Sequence, residues 1–362
     1  MPQADWTSIK PYLMPLAPLL DDEEVTNIDA NPDGSIFYEK AGWKHRAKVC
    51  PELASECKCE SIHFNDVQKS IALQNIARQN GQNITEHQPY LTAQLPNGDR
   101  ITGVSDRISR GGHTLTIRRF PKVAYSLSQL ESFGMFPPEV GKLLRDEVHL
   151  RSSILVVGST NSGKTTLLNA MCSEIDDNQR IVTIEDIPEL RIDKPDVVSM
   201  QALENTELTK VTIRDLLRLA LRLNPKRIIM GEMRKGEAYD FLQCMNSGHP
   251  GSMSTIHARG AVDALQRLCD LVLESKLDIP YHAIQRSIAN ALSVLIYQEY
   301  DTTTGRREIK DVVRVKGWDE DKQKAITEVL YSKERTARGS VVHPRPELVA
   351  RTQTHEAVSA IG

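Results

Sequence analysis

The sequence predicts an α/β protein in which a phosphate-binding loop connects a buried strand to a helix. From about residue 152 onward, short apolar runs such as ILVVG, RIVTIED and RIIMGE alternate with helical patterns such as KTTLLNAMCSEI. Strands that alternate with helices in this way are typical of a parallel sheet covered by helices on both faces. The second observation is the motif GSTNSGKT at residues 158–165, which directly follows the first of these strands.

The preceding part of the chain has a different pattern, typical of a smaller α+β domain. Turn motifs NPDG and PNGD predict hairpins over residues 25–40 and 90–104, with a helix over 64–79 and a further strand over 114–118. From these patterns we predict four segments. They are an N-terminal α+β domain (1–120), a connector with two short helices (121–150), an ATPase domain (151–331) and a polar, disordered tail (332–362).

Composition narrows the classes of function. The chain has 362 residues with 45 basic and 48 acidic side chains, and this balance argues against a nucleic-acid coat or a polybasic membrane protein. No run of about 18 apolar residues occurs, so we expect no membrane span. Residues 1–20 lack the basic leader and continuous apolar core of a secretory signal. Six cysteines in such a chain favour a reduced, cytoplasmic protein.

Four residues with metal-binding side chains cluster in the N-terminal part, namely Cys50, Cys57, Cys59 and His63. Four such ligands are sufficient for a zinc site. Their spacing, C-x6-C-x-C-x3-H, matches no strong zinc pattern. We therefore favour ordinary thiols, with a metal site as the alternative.

The loop motif fits the pattern GxxxxGK[ST] at every fixed position. Its members are Gly158, Ser159, Thr160, Asn161, Ser162, Gly163, Lys164 and Thr165. Small residues let the backbone curl so that successive N–H groups point at phosphate oxygens, and the following helix adds its positive N-terminal end. We predict that Lys164 reaches the β- and γ-phosphates of ATP, that Thr165 binds Mg²⁺, and that Thr166 belongs to the same nucleotide site.

Two predicted strands end in carboxylates. RIVTIED ends in Glu185 and Asp186, and KRIIMGE ends in Glu232. The carboxyl edge of a parallel sheet is where α/β proteins bind ligands, and an acidic residue there can hold Mg²⁺ or orient the attacking water. Solvated strand ends are the alternative. Gly231 occupies a place where many phosphate-loop ATPases have aspartate, which by itself weakens a Walker B assignment.

Two histidines flank a glycine-rich bend and a short strand, in the segment GHPGSMSTIH. Either His249 or His257 could contact a γ-phosphate and report its loss. The alternative is that each is an ordinary structural or solvated histidine.

Four blocks in this order resemble the type II/type IV secretion traffic ATPase superfamily. GSTNSGKTT, TIEDIPEL, LRLNPKRIIMGEMRKGEA and NSGHPGSMSTIHA resemble its Walker A, Asp box, Walker B and His box, and the resemblance covers about residues 85–300. The stretches IEDIPELRI and GHPGSMSTIHA look most like the VirB/Trb-type ATPases of type IV secretion and conjugation, with the tight-adherence pilus ATPases close. The C-terminal half shows no tetracysteine zinc insertion, which disfavours the type II secretion and pilus-extension branches.

The resemblance implies a RecA-like ATPase core with a PAS-like N-terminal domain and Mg-ATP held between them. The sequence GEMR is the form that the family uses at Walker B, which removes the difficulty at Gly231. The resemblance also implies roles for side chains. Glu232 would orient or deprotonate the attacking water, with Glu185 supporting it or sharing the role, and His257 would sense the γ-phosphate. Thr165, Glu185, Asp186 and Glu232 would hold Mg²⁺, partly through water.

The segment TLTIRRF resembles the family's junction between the two domains. There an arginine reaches the phosphates of the nucleotide, work that suits the permanent charge of this side chain. The resemblance therefore places Arg118 among the catalytic residues and Arg119 in the nucleotide site. Arg100, after the turn PNGD, resembles another arginine near the nucleotide. Surface arginines at a domain boundary are the alternative for all three.

For function, the resemblance implies a homohexameric ATPase that powers substrate export or machine assembly in a bacterial type IV secretion or conjugation system. It would act in the cytoplasm, peripherally at the inner membrane, with machine components, a coupling protein or secreted substrates as partners. A type IV or tight-adherence pilus motor and a nucleotide-gated scaffold with low turnover are the alternatives. We expect no sequence-specific nucleic-acid binding, because no basic stripe interleaved with aromatic residues occurs.

Overall fold

The computed structural model describes residues 6–40, 43–47, 62, 64–119, 124–203, 210–301 and 304–333. Their strands form a six-stranded sheet, called here the first sheet, and an eight-stranded sheet, called the second sheet. Three sequence predictions fall partly or wholly outside these residues. They concern the Cys50, Cys57, Cys59 and His63 cluster, part of the connector, and nearly all of the polar tail.

The N-terminal part builds the first sheet. Two short helices, α1 (Trp6–Leu13) and α2 (Ala17–Leu20), are joined by a 3₁₀ turn at Met14–Leu16. The remaining elements are β1 (Val25–Ala30), β2 (Ile36–Lys40), β3 (Trp43–Arg46), α3 (Asp66–Gln79), β4 (Tyr90–Gln94), β5 (Arg100–Val104) and β6 (Thr114–Arg118). The strands lie in the order β3-β2-β1-β6-β5-β4, and every neighbouring pair is antiparallel.

Helix α3 covers one face of the first sheet. It begins at a capping box, in which the Asn65 and Gln68 side chains each accept a hydrogen bond from the other's backbone N–H. Its buried Leu73 packs so closely on β5 that a Cβ added at Gly103 would lie 2.0 Å from a Leu73 methyl carbon. Glycine at position 103 therefore sets the distance between this helix and the sheet.

The second sheet follows two connector helices, and its elements largely alternate between strand and helix. The connector contains α4 (Leu127–Ser132) and α5 (Pro138–His149). Then come β7 (Ile154–Gly158), α6 (Lys164–Cys172), β8 (Ile181–Glu185), β9 (Val197–Gln201), α7 (Ile213–Ala220), β10 (Arg227–Met233), α8 (Glu237–Asn246), β11 (Met253–Ile256), α9 (Ala261–Leu273), α10 (Tyr281–Ala291), β12 (Val294–Asp301), β13 (Arg306–Asp319) and β14 (Lys324–Ser332).

The second sheet has the order β14-β13-β12-β7-β11-β10-β8-β9. Strands β12 to β9 in this order are parallel, whereas β13 and β14 extend the sheet in antiparallel fashion. Leu155 and Val157 of β7 pack into one core cluster, while Ile154 and Val156 pack into another on the opposite face. Helices thus cover both faces, and the predicted α/β fold class is confirmed.

The elements that the sequence did not reveal lie mainly at the edges. Strand β3 has four exposed residues and therefore lacks the apolar alternation that marks a strand. Strands β9 and β14 occupy the two edges of the second sheet. None of the helices within the described ranges is both long and apolar enough to cross a membrane.

Candidate functional site

The loop between β7 and α6 has the curled backbone that its glycines predict. Asn161 and Gly163 both have positive φ values, of 62° and 90°. A Cβ at Gly163 would also lie 3.1 Å from Arg307 Cδ, so both conformation and space favour glycine there. Because the first N–H groups of α6 have no acceptor within the helix, the loop and helix start together offer donors to an anion.

Lys164 is buried at the start of α6 and turns back onto the loop. Its ammonium donates to the Ser159 carbonyl at 2.8 Å and lies 3.4 Å from His257 Nδ1. Burial lowers the pKa of Lys164 to about 8; the charge of Glu232 opposes this shift, and that of Arg118 adds to it. Since Arg118 belongs to the first sheet, two cations from different sheets face the same space.

Glu232, near the end of β10, is held between two basic side chains. Its Oε2 accepts from Arg234 at 2.8 Å, and its Oε1 lies 2.8 Å from His257 Nε2. Burial by itself would raise the pKa of Glu232, but His257 and Arg234 outweigh it and lower the value to about 2. The carboxylate is therefore ionised, and its buried Oε1 faces the His257 ring.

Glu185 has a different environment at the end of β8. Its Oε1 accepts the backbone N–H groups of Glu189 and Leu190, at 2.8 and 2.9 Å, and burial still raises its pKa to about 7. A Cβ at Gly231 would lie 3.2 Å from Glu185 Cγ, which explains why the neighbouring strand has glycine at that position. Glu185 holds the loop that follows β8, whereas Asp186 lies 3.5 Å from Arg234.

Two cavities adjoin the phosphate-binding loop. The larger, of about 440 Å³, is lined by Lys164, Thr165 and Thr166 on one side and by Asn27 and Arg118 of the first sheet on the other. One end of it is apolar, formed by Tyr125, Leu130, Phe133 and Met135. The smaller, of about 160 Å³, brings together Arg100, Thr165, Glu185, Asp186, Glu232 and Arg234.

The first sheet contributes to these cavities through one cross-strand row, called here the polar row. Asn27, Arg118, Arg100 and Gln94 lie directly opposite one another on β1, β6, β5 and β4. Directly opposed residues share a face of a sheet, so both predicted arginines lie on the same side. Gln94 Nε2 donates to the Pro188 carbonyl at 3.0 Å. This hydrogen bond joins the Gln94 end of the polar row to the loop that follows β8. Burial, together with the charge of Arg234, lowers the pKa of Arg100.

Arg119 lines the larger cavity, but its guanidinium has other partners. Its Nη1 donates to the carbonyls of Leu19, Asp22 and Val25. These bonds tie the end of α2 to the start of β1. We therefore interpret Arg119 as a residue that holds the first sheet together, and its predicted contact with nucleotide stays a prediction.

His249, the other predicted histidine, lies away from the phosphate-binding loop within a single chain. His249 precedes β11 and lies near the edge where the parallel strands begin, whereas Lys164 and His257 lie at the opposite edge, where β7 and β11 end. Its Nδ1 lies 3.3 Å from the Cys244 carbonyl at the end of α8. The two histidines are separated by the length of a strand, so only His257 lies beside the loop.

Several groups at the site were missed by sequence reasoning. Arg234 directly follows Glu232-Met233 and could have been singled out from that adjacency alone. Arg307 and Gln298 reach the loop from β13 and β12, far along the chain. No local pattern marks them, nor the apolar end of the larger cavity.

Comparison with known proteins places the chain among secretion proteins. The model of the family described as "Type II/IV secretion system protein" matches residues 59–339. VirB11 of Brucella suis biovar 1, a type IV secretion system protein, is 33% identical over 321 residues, covering 80% of this chain and 85% of the relative. PtlH of Bordetella pertussis, another type IV secretion system protein, is 32% identical over 334 residues, covering 84% and 94%.

Among solved structures, the pilus retraction motor PilT with bound ADP is similar in fold. It is 21% identical, with a TM-score of 0.55, and the match covers 79% of this chain and 77% of PilT. This likeness supports a RecA-like core for the second sheet.

Proposed function

Because the chain belongs to the type II/IV secretion system protein family, we propose that it binds ATP between its two sheets and hydrolyses it to drive a secretion machine. The observation that carries the proposal is the cavity beside the phosphate-binding loop, which cations from both sheets surround. Burial, together with the neighbouring charge of Arg118, disfavours the charged form of Lys164 in the absence of an anion and lowers its pKa to about 8. A polyphosphate would supply the missing negative charge.

The shape of the larger cavity indicates how a nucleotide would lie. Its volume of about 440 Å³ falls in the range of small-molecule sites. The phosphates would lie at the loop and the start of α6, next to Lys164 and Arg118. The base would lie at the apolar end against Tyr125 and Phe133, whose rings present apolar surface to a planar group.

Glu232 is best suited to orient the attacking water. Its Oε1 is buried and ionised, and a carboxylate oxygen that faces one imidazole can still accept a hydrogen bond from a water molecule. A carboxylate with a pKa of about 2 is a weak base, so we assign it water positioning in place of early proton removal. This suits the loose transition state of phosphoryl transfer, in which positioning and electrostatics dominate.

His257 connects the two groups that would act on the γ-phosphate. It lies 3.4 Å from the Lys164 ammonium and 2.8 Å from Glu232 Oε1. When the γ-phosphate binds the Lys164 ammonium, the ammonium would move away from the Ser159 carbonyl and the His257 ring. His257 would thereby respond to the presence of the γ-phosphate, as its predicted sensor role requires.

The donor set at the smaller cavity suits Mg²⁺. Thr165 supplies a hydroxyl, and Glu232 and Asp186 supply carboxylates within reach of water ligands. The described residues contain no group of three metal-ligating side chains, and Mg²⁺ that accompanies nucleotide needs none, because phosphates and water provide most of its ligands. Glu185 is the poorest candidate, since its Oε1 already accepts two N–H groups. When bound, Mg²⁺ would neutralise charge on the β- and γ-phosphates.

The kind of secretion machine is proposed from the proteins that this chain resembles. Type IV secretion proteins match most of this chain at 32–33% identity, so we propose a type IV secretion or conjugation system. We further propose a homohexamer in the cytoplasm at the inner membrane, with machine components, a coupling protein or secreted substrates as partners. The likeness to PilT extends to the fold alone, so a pilus motor is the second candidate. Deletion in the native host, with secretion, conjugation and pilus assays in parallel, separates these roles.

The direct test of ATP hydrolysis is Lys164→Ala. Loss of the buried ammonium should lower the phosphate-release rate by about 100-fold or more, since it removes a charge that stabilises the transferred group. Lys142→Ala serves as the control, because Lys142 forms an exposed ion pair with Asp146 on α5. Near-normal turnover in a folded Lys164→Ala protein would refute the assignment, and negligible turnover in the wild type would favour a nucleotide-gated scaffold.

A further inference from the structure

The hairpin of β12 and β13 contacts the phosphate-binding loop, and its Arg307 also lines the larger cavity. Gln298 of β12 lies opposite Gly158 in the sheet register, and its Nε2 donates to the Ser162 carbonyl at 2.6 Å. Arg307 of β13 donates from Nε to the Asn161 carbonyl at 2.8 Å. Two successive carbonyls of the loop are thus bound by side chains that lie more than a hundred residues away in the sequence.

Binding these carbonyls determines where the next N–H groups point. In a trans peptide the C=O and N–H groups point in opposite directions. Since Gln298 holds the Ser162 carbonyl, the Gly163 N–H points away from the Gln298 amide, and we expect it to face a bound phosphate. By the same reasoning the Ser162 N–H points away from Arg307, and it donates to the Ser159 carbonyl at 3.4 Å.

The two side chains are themselves held firmly. Gln298 is completely buried, and its Oε1 has no donor in the part of the chain that the structure describes. An unpaired buried oxygen lowers the stability of the fold. The favourable contact of the Gln298 amide is therefore its hydrogen bond to the loop. The Arg307 guanidinium lies over the Tyr300 ring, 5.1 Å from its centroid, which restricts its orientation.

We propose that Arg307 and Gln298 are positioning residues that hold the phosphate-binding loop in its anion-binding conformation. This inference rests on the proposed nucleotide site. Without the two bonds, Asn161 and Gly163 would have to keep their left-handed backbone unaided, and part of the binding free energy would be spent on ordering the loop. The effect should therefore fall on affinity for phosphate-bearing ligands, with little change in the chemical step.

The experiment compares full-length Arg307→Ala with wild type. ADP dissociation constants are measured by calorimetry, and KM and kcat for ATP by phosphate release. Loss of one charge-assisted hydrogen bond should raise both the ADP dissociation constant and KM by about tenfold, with kcat within about twofold. Lys316→Ala is the matched control, because Lys316 lies on the same strand in an exposed ion pair with Glu328. The unliganded melting temperatures of both variants should match that of wild type.

Two further variants test the contact itself. Arg307→Lys keeps the positive charge but loses the Nε donor, so it should keep most of the defect. Gln298→Met keeps the buried volume and loses the amide, so it should also weaken ADP binding. Wild-type affinity in Arg307→Ala, or full recovery in Arg307→Lys, would overturn the inference and leave the proposed function untouched. Failure of wild type to bind ADP would overturn both.

Discussion

The two sheets contribute to the cavity in different ways. The second sheet contributes strand ends, because β7, β8, β10 and β11 all finish at one edge, and their following residues meet there. The first sheet contributes a face, because Asn27, Arg118 and Arg100 lie opposite one another across antiparallel strands. A parallel sheet gathers residues by strand direction, whereas an antiparallel sheet gathers them by register.

The two sheets would therefore supply different chemical groups to the site. Of the groups near the loop, the acids that can act on water or metal come from the second sheet, as Glu232 and Asp186. The polar row of the first sheet adds the cations Arg118 and Arg100. We therefore expect the second sheet to control the chemical step and the first sheet to control binding and closure around the phosphates.

The largest effect should follow a change at a strand end of the second sheet. Glu232→Gln should still bind ATP, but its turnover should fall by about 100-fold or more, because the neutral amide is a weaker acceptor for the attacking water. Steady-state phosphate release and equilibrium ATP binding measure the two properties separately.

A control variant and a second carboxylate variant test this prediction. The exposed Glu320→Gln variant is the control and should behave as wild type. If Glu185→Gln loses more turnover than Glu232→Gln, the order of the two carboxylates proposed here is wrong, and the residue with a pKa of about 7 is the base.

The smallest predicted effect is a change in the thermal stability of the Glu185→Gln variant with pH. Burial raises its pKa from 4.5 to about 7, so between these values the folded chain holds more protons than the unfolded chain. Stability therefore falls as pH rises through this window. Glu185→Gln cannot ionise, and its melting temperature relative to wild type should rise by roughly 2–4 °C between pH 5 and pH 8.

The control for this measurement is a carboxylate that is exposed to solvent. Glu274 is exposed at the end of α9, so Glu274→Gln should show a difference from wild type that does not vary with pH. A constant difference for Glu185→Gln as well would show that the raised pKa is absent in solution.

The sequence predicted the second sheet and its loop well because their signals are local. A phosphate-binding loop is eight consecutive residues, and buried parallel strands are continuous apolar runs. Glu232 was recognisable because strand direction alone decides which end of β10 meets the loop. The distance of His249 from the loop was harder to predict, since it depends on where β11 begins.

Register and long-range contacts could not be read from the sequence. That Arg100 and Arg118 lie side by side depends on the pairing of β5 with β6, which a shift of one residue would abolish. Gln298 and Arg307 reach the loop only because β12 lies next to β7 in the sheet. The predicted domain boundaries and the roles of the site residues stay predictions.

The measurement that tests the shared site most directly is kcat/KM for ATP in Arg118→Ala. Thr116→Ala is its control, since Thr116 lies two residues away on the same face of β6 and is exposed. If the nucleotide lies between the sheets, Arg118→Ala should lose about tenfold or more in kcat/KM while Thr116→Ala stays at the wild-type value. Equal values for the two variants would contradict the account and confine the site to the second sheet.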